Sequence, residues 1–278
     1  MLLIVPLKAN DLFNTGTAMA IVRPMTPSPD ELWRVLGKAA RIWAASDLLD
    51  VQEESWTAFS GQRSVSYNLA CCHSSEPGVL TEHCLEPTLA QKKPAVIMLA
   101  GPGLAAAQRL VEPGWVTVGA LPLMTLRKEN WSAARTSDSG SAKALSLEEL
   151  PAARELLAES YGLDRATAVI AIPDQAVDAS DMSVWGCYAE GHLASSVTTV
   201  LQDGLVVIWS MATRRECQGR GYGRRLLDAL FAQQFEAGAS GSLLHSSMAG
   251  EKLYRQIGFT VVEYLQLWSR PRWVLGAA

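Results

Sequence analysis

Gly219, Gly221 and Gly223 alternate along a short span that also carries Arg214, Arg215, Arg220, Arg224 and Arg225. Glycine lets a ligand approach the main chain, and clustered guanidinium groups attract phosphate oxygens. The span follows an unbroken apolar run, Leu205 to Ala212. It precedes a helical stripe of Leu226, Leu227, Leu230, Phe231 and Phe235 that Gly238 would close. A strand, turn and helix in this order aim free amides, at the positive end of a helix dipole, at a phosphate-bearing ligand. A P-loop would need Lys and then Ser or Thr where Arg224 and Arg225 stand, and a dinucleotide turn would need glycine at Leu226. The pattern that fits is Q-x-x-G-x-G, read as Gln218, Gly221 and Gly223.

A second block lies downstream: Ser247, Gly250, Leu253 and Tyr254, then Gly258 and Phe259, read as a helix carrying L-Y-x-x-x-G-F before a last strand. Together the two blocks resemble the pyrophosphate loop and the later segment of the GNAT superfamily of acyl-CoA N-acyltransferases, over residues from about 143 to 270. The resemblance implies an α/β (α+β) fold, with a mixed, mostly antiparallel central sheet flanked by helices. It also implies transfer of an acetyl group from acetyl-CoA to a primary amine by direct attack in a ternary complex. Acetyl-CoA would be the co-substrate, and a small-molecule or peptide amine the acceptor.

Carried over residue by residue, the resemblance gives the diphosphate to the turn amides of Gln218, Gly219, Arg220, Gly221, Tyr222, Gly223 and Arg224. Main-chain groups of Met211, Ala212 and Thr213 on the central strand would polarise the thioester carbonyl, and Ser247 would bond the cofactor arm. Tyr254 would protonate the departing thiolate, a proton transfer that contributes typically about 10²–10⁴-fold. No base is assigned: relatives often place Glu on the central strand, where Ile208, Trp209 and Ser210 stand here. Glu190, His192, His245 and a water chain stay open. Cys217 beside the turn invites a covalent route, but no His adjoins it in sequence to activate it. A binding module that senses acyl-CoA without turnover is the competing class, and a nucleotide-dependent oxidoreductase a distant third.

Bulk properties narrow the field. The chain has 278 residues, a net charge of −4 and a pI near 5.6, which argues against a nucleic-acid binder. Five cysteines at irregular spacing suggest reduced thiols and a cytoplasmic protein. Cys71, Cys72, His73, His83 and Cys84 cluster without a C-x-x-C pair, so no metal is expected. The apolar stretches Met1 to Leu7 and Ala95 to Ala107 are too short or too broken to span a bilayer, so no membrane partner is expected. The protein would be a monomer or homodimer.

Stepping along the chain, 1–27 reads as a leader without assigned structure. Residues 28–130 carry helix, hairpin, helix, strand, helix, strand, the order of a degenerate GNAT-like copy or of an unrelated bracing α/β domain. Residues 131–142 read as a polar linker, and 143–278 as the acetyltransferase domain. Between its first helix and the next strand, Asp164, Asp174, Asp178 and Asp181 would either line the acceptor site for a cationic amine or edge a solvated loop. Hairpin turns are expected at Glu190-Gly191 and Asp203-Gly204.

Overall fold

The computed structural model describes residues 28–132 and 142–274. The expected leader, 1–27, and the linker positions 133–141 lie outside the described residues. The first segment comprises α1 (Pro29–Ala39), β1 (Leu49–Val51), β2 (Ser55–Phe59) and β3 (Asn68–Cys72). It continues with α2 (Pro77–Val79) and α3 (Glu86–Ala90), joined by a π-helical turn, then β4 (Val96–Leu99), α4 (Gln108–Val111) and β5 (Val116–Arg127). The second comprises β6 (Ala142–Ala144), α5 (Leu150–Tyr161), α6 (Arg165–Ala171), α7 (Gln175–Asp178), β7 (Met182–Ala189), β8 (His192–Gln202) and β9 (Leu205–Thr213). It ends with α8 (Tyr222–Glu236), β10 (Gly241–His245), α9 (Met248–Ile257), β11 (Thr260–Ser269) and α10 (Pro271–Val274).

Local chemistry sets the boundaries. Ser28 closes a capping box with Glu31 at the start of α1, and Ser146 does the same with Glu149 ahead of α5. Pro151 occupies the first turn of α5, so the two start signals work in series; Gly162, in the left-handed region, ends the helix. The β7–β8 and β8–β9 turns put Glu190-Gly191 and Asp203-Gly204 at positive φ, the geometry that two-residue hairpins need.

All strands join one 11-stranded sheet in the order β1-β2-β3-β4-β11-β5-β10-β9-β8-β7-β6. β5, the last strand of the first segment, stands between β10 and β11 of the second. β11 in turn pairs with β4. Each segment therefore sets its last strand beside the other's parallel pair. The linker ends are docked too: Trp131 packs edge-on against Phe235 and its indole N–H donates to Asp228.

Alternation along the strands feeds two faces of the sheet. Leu69, Val96, Met98, Leu123, Val207, Trp209, Leu243 and Leu265 point into one core together with Trp33 and Leu36 of α1 and Leu156 and Leu157 of α5. That core crosses the whole sheet. On the opposite face Met124, Leu126, Val206, Ile208 and Leu244 meet Leu227, Leu230 and Phe231 of α8. A smaller cluster there packs Ala70, Cys72, Ile97 and Leu99 under the 77–90 helix.

Candidate functional site

The central parallel pair opens where a ligand arm would need room. β9 and β10 are paired only from Leu205 with Gly241 to Val207 with Leu243, after which they part. The corresponding pair in the first segment, β3 and β4, stays joined from Leu69–Val96 to Cys72–Leu99. Gly103 then closes over its end, because a Cβ there would lie 2.3 Å from the Cys72 carbonyl oxygen. The β9–β10 gap leads into a cavity of about 1210 Å³ that Trp209, Met211, Gly223, His245, Ser247 and Tyr254 help to line.

At its outer end stands the glycine turn. Gly221, at φ +83°, is the N-cap of α8 and supplies no side-chain cap. The first intrahelical bond is from Arg225 N–H to the Gly221 carbonyl, so the amides of Tyr222, Gly223 and Arg224 precede the helical ladder. A Cβ on Gly221 would meet nothing within 4 Å, while one on Gly223 would come 3.0 Å from the Met211 methyl. Gln218 and Arg220 differ from the sequence expectation, since their amides bond within the turn, to Arg215 and Cys217 carbonyls. A tight 3₁₀ turn over Arg215–Cys217 draws those donors inward.

Most of the arginine charge is committed elsewhere. The Arg224 guanidinium bonds Asp228 and the carbonyls of Gln256 and Ser132, pinning α8 to α9 and to the linker. Arg214 reaches Glu159 and the Leu193 carbonyl, and Arg225 stacks over Tyr222 at 4.2 Å. Arg215 and Arg220 are exposed beside the turn.

Above the slot β9 bulges. Thr198 faces Trp209 and Ser196 faces Ala212, which leaves Ser210 and Met211 opposite Val197. Ser210 sits at φ +51°, and a bulge of this kind takes its extra residue out of the ladder. Phenols surround it. Tyr67 Oη lies 2.9 Å from Ser210 Oγ, and Tyr161 donates to the Met211 carbonyl at 2.7 Å. Tyr254 donates to the Met211 thioether at 3.2 Å. Burial pushes Tyr67 up to about 12, raises Tyr254, and raises Tyr161 through its desolvated hydroxyl end. All three keep their protons at neutral pH.

The residues flanking the bulge are also fixed. Ser195 donates to the Ala212 carbonyl at 2.8 Å and lies 2.9 Å from Thr213 Oγ1, and the Gln218 side-chain Nε2 donates to the Thr213 carbonyl. Ser247 caps α9, its oxygen accepting from Gly250 N–H, which leaves its hydroxyl proton to donate. His245 packs edge-on against Trp209, and its buried Nε2 has no partner; desolvation lowers it to about 4. The imidazole is neutral.

Sequence reasoning named Tyr254, Ser247 and the turn, and these, apart from Arg220, line one cavity with Met211 and Thr213; Ala212 is not among the described lining residues. It missed Tyr67, for which no local signal exists, and Tyr161, at the end of α5. Asp164, Asp174, Asp178 and Asp181 are absent from the described cavity wall: Asp164 caps α6, Asp174 pairs with Arg154, and Asp181 pairs with Arg41. Cys217 lines the cavity without a bonded base among the described residues. Cys71 and Cys72 point to opposite faces of β3, the Cys84 thiol donates to the Cys71 carbonyl at 3.3 Å, and no metal-holding group occurs among the described residues. No helix among them is long and apolar enough to cross a membrane.

Comparison with known proteins follows the same lines. Residues 180–261 match the model of the acetyltransferase (GNAT) domain. A GCN5-related N-acetyltransferase from Kribbella flavida superposes with a TM-score of 0.62 at 20% identity, covering 84% of this chain and 92% of its own. A GNAT-family structure from Novosphingobium aromaticivorans gives 0.54 at 18% identity, covering 86% and 96%. One from Sphaerobacter thermophilus gives 0.57 at 16%, covering 78% and 76%. No curated protein matches the chain. The fold is that of the GCN5-related N-acetyltransferases, with a mixed, mostly antiparallel sheet flanked by helices.

Proposed function

We propose that this chain is an acyl-CoA-dependent N-acyltransferase, moving an acetyl group from acetyl-CoA to a primary amine by direct attack in a ternary complex. One observation carries the reading: the slot beyond Val207 and Leu243 runs from the uncapped amides of α8 to the bulge at Ser210 and Met211. The amides of Tyr222, Gly223 and Arg224 suit a diphosphate, which the helix dipole also favours. Open space over Gly221 leaves room for it. Ser247 has a hydroxyl proton to offer the arm.

Main-chain donors at the bulge would stabilise charge on the acyl oxygen, an effect worth about 3–4 kcal/mol in comparable sites. The amine nitrogen bonds the acyl carbon and the C–S bond breaks. Tyr254 gives its proton to the leaving sulfur. The surplus proton on nitrogen passes to His245 Nε2 or to water, and the Tyr254 phenolate regains one from solvent. His245 enters here because its imidazole lines the cavity and its Nε2 has no hydrogen-bond partner.

In this reading residues 143–278 are the working copy and 28–130 a degenerate one. The same strand order and the closed β3–β4 pair support that assignment. Free cysteines suit a cytoplasmic protein. One observation favours a second reading, an acyl-CoA sensor: no carboxylate base is among the described residues lining the cavity. A thiol-release assay with acetyl-CoA and a panel of amines separates them. Binding without release across the panel would leave the sensor, and failure to bind acetyl-CoA would end both.

A further inference from the structure

The cavity does not stop at the bulge. It continues between walls supplied mainly by the first segment: Val65, Leu69, Val96, Met98 and Leu121, with Leu267 of β11. These side chains come from four places in the chain, and only the strand exchange brings them over β9. Tyr67, bonded to Ser210, joins the chamber to the reaction end. The charged side chains among the described lining residues are Arg224 and Lys252, both on the helices beside the glycine turn. None of those residues is a carboxylate.

Resting on the acyltransferase reading, we propose that this chamber binds the acceptor, and that the acceptor is an amine uncharged at neutral pH on an apolar, preferably aromatic, body. A cationic amine entering the chamber would lose water and find no counter-charge, which is costly. An amino acid would also leave its carboxylate unpaired. A weakly basic aromatic amine meets neither penalty, and the Leu, Val and Met side chains cover its ring. The proton acceptor fits as well. A desolvated neutral imidazole is too weak a base to strip an alkylammonium, but an amine that arrives neutral does not ask for that.

The first test is a kcat/KM series with acetyl-CoA held fixed. Aniline, 4-methylaniline and 4-ethylaniline should rise by about 10-fold per added carbon at the low end of what hydrophobic pockets give. Ethanolamine, spermidine, lysine and glutamate should lie below all three. Equal or better turnover of any charged amine would overturn the proposal while leaving acyl transfer standing. Improvement with acyl-chain length on the CoA side, and none with the amine series, would hand the chamber to the donor and also overturn it. A turnover-free arm titrates 4-ethylaniline onto protein saturated with coenzyme A, and absence of binding counts against the proposal. In that arm Val118→Asp, on the exposed part of β5 that lines the chamber, should weaken the arylamine at least about 10-fold while acetyl-CoA affinity and the melting curve stay put. Undiminished arylamine affinity in a folded Val118→Asp protein would place the ligand elsewhere.

Discussion

The hydroxyls of Tyr67 and Ser210 lie 2.9 Å apart although 143 residues separate them in sequence. The bond ties the turn before β3 to the bulge of β9. Ser210 holds φ +51°, a region that costs a non-glycine residue about 1–2 kcal/mol. The bulge is therefore kept in place by its neighbours.

Tyr67→Phe removes that restraint and leaves the ring edge-on to Trp43. Stability should fall by about 0.5–1.5 kcal/mol, the usual worth of one hydrogen bond. The larger effect should appear in kcat/KM for the amine, with acetyl-CoA affinity unchanged. Equal losses in amine turnover and in acetyl-CoA affinity would show that the bond only supports the fold.

Tyr254→Phe should lower kcat by about 10²-fold or more with little change in acetyl-CoA binding. Because burial raises the phenol, the wild-type profile should show no alkaline limb from Tyr254 below about pH 10. Unchanged turnover in the variant across pH would remove Tyr254 from the chemistry.

Gly221→Val should abolish acetyl-CoA binding while the protein still folds. The new side chain would stand in the open space over the α8 amides, and a β-branched residue resists φ +83°. The backbone penalty is about 1–2 kcal/mol, small enough for the fold to survive. Calorimetric titration with coenzyme A reads the result. Retained affinity would move the diphosphate away from this turn.

His245 predicts an acid dependence of stability. In the unfolded chain it titrates near 6.5 and in the fold near 4, so the unfolded state takes up the proton first as pH falls. Stability from this group is complete above 6.5 and is lost progressively toward 4, at no more than about 1.4 kcal/mol per pH unit. Urea melts at pH 7.5 and 5 should show the loss, and His245→Phe should reduce it. An identical slope in the variant would mean the imidazole is solvated.

Residues 143–278 expressed alone should be insoluble or molten. They would lack β4 and β5, so β10 would expose one unpaired edge and β11 both, and the partners of Leu123, Met124 and Leu126 would be bared. Burial of each such side chain is worth about 1.5–3 kcal/mol. Co-expressing residues 28–132, which carry both β4 and β5, should recover soluble protein; a cooperative melt without them would show that the exchange is dispensable.

What the sequence determined by itself was whatever its chemistry settles within a few residues. The Glu190-Gly191 and Asp203-Gly204 turns need positive φ, the α5 start carries its capping box, and Gly221 frees the amides that open α8. Tyr254 and Ser247 were legible for the same reason, since a helix of known start fixes both. Tertiary structure alone decided that β5 enters between β10 and β11, that β9 bulges at Ser210, and that Leu69, Val96 and Met98 line the same cavity as Tyr254. A strand's apolar alternation says that it will be buried, but not beside which partner. Its hydrogen bonds are satisfied equally well by a neighbour near or far in sequence, so the choice falls to the packing of the whole sheet.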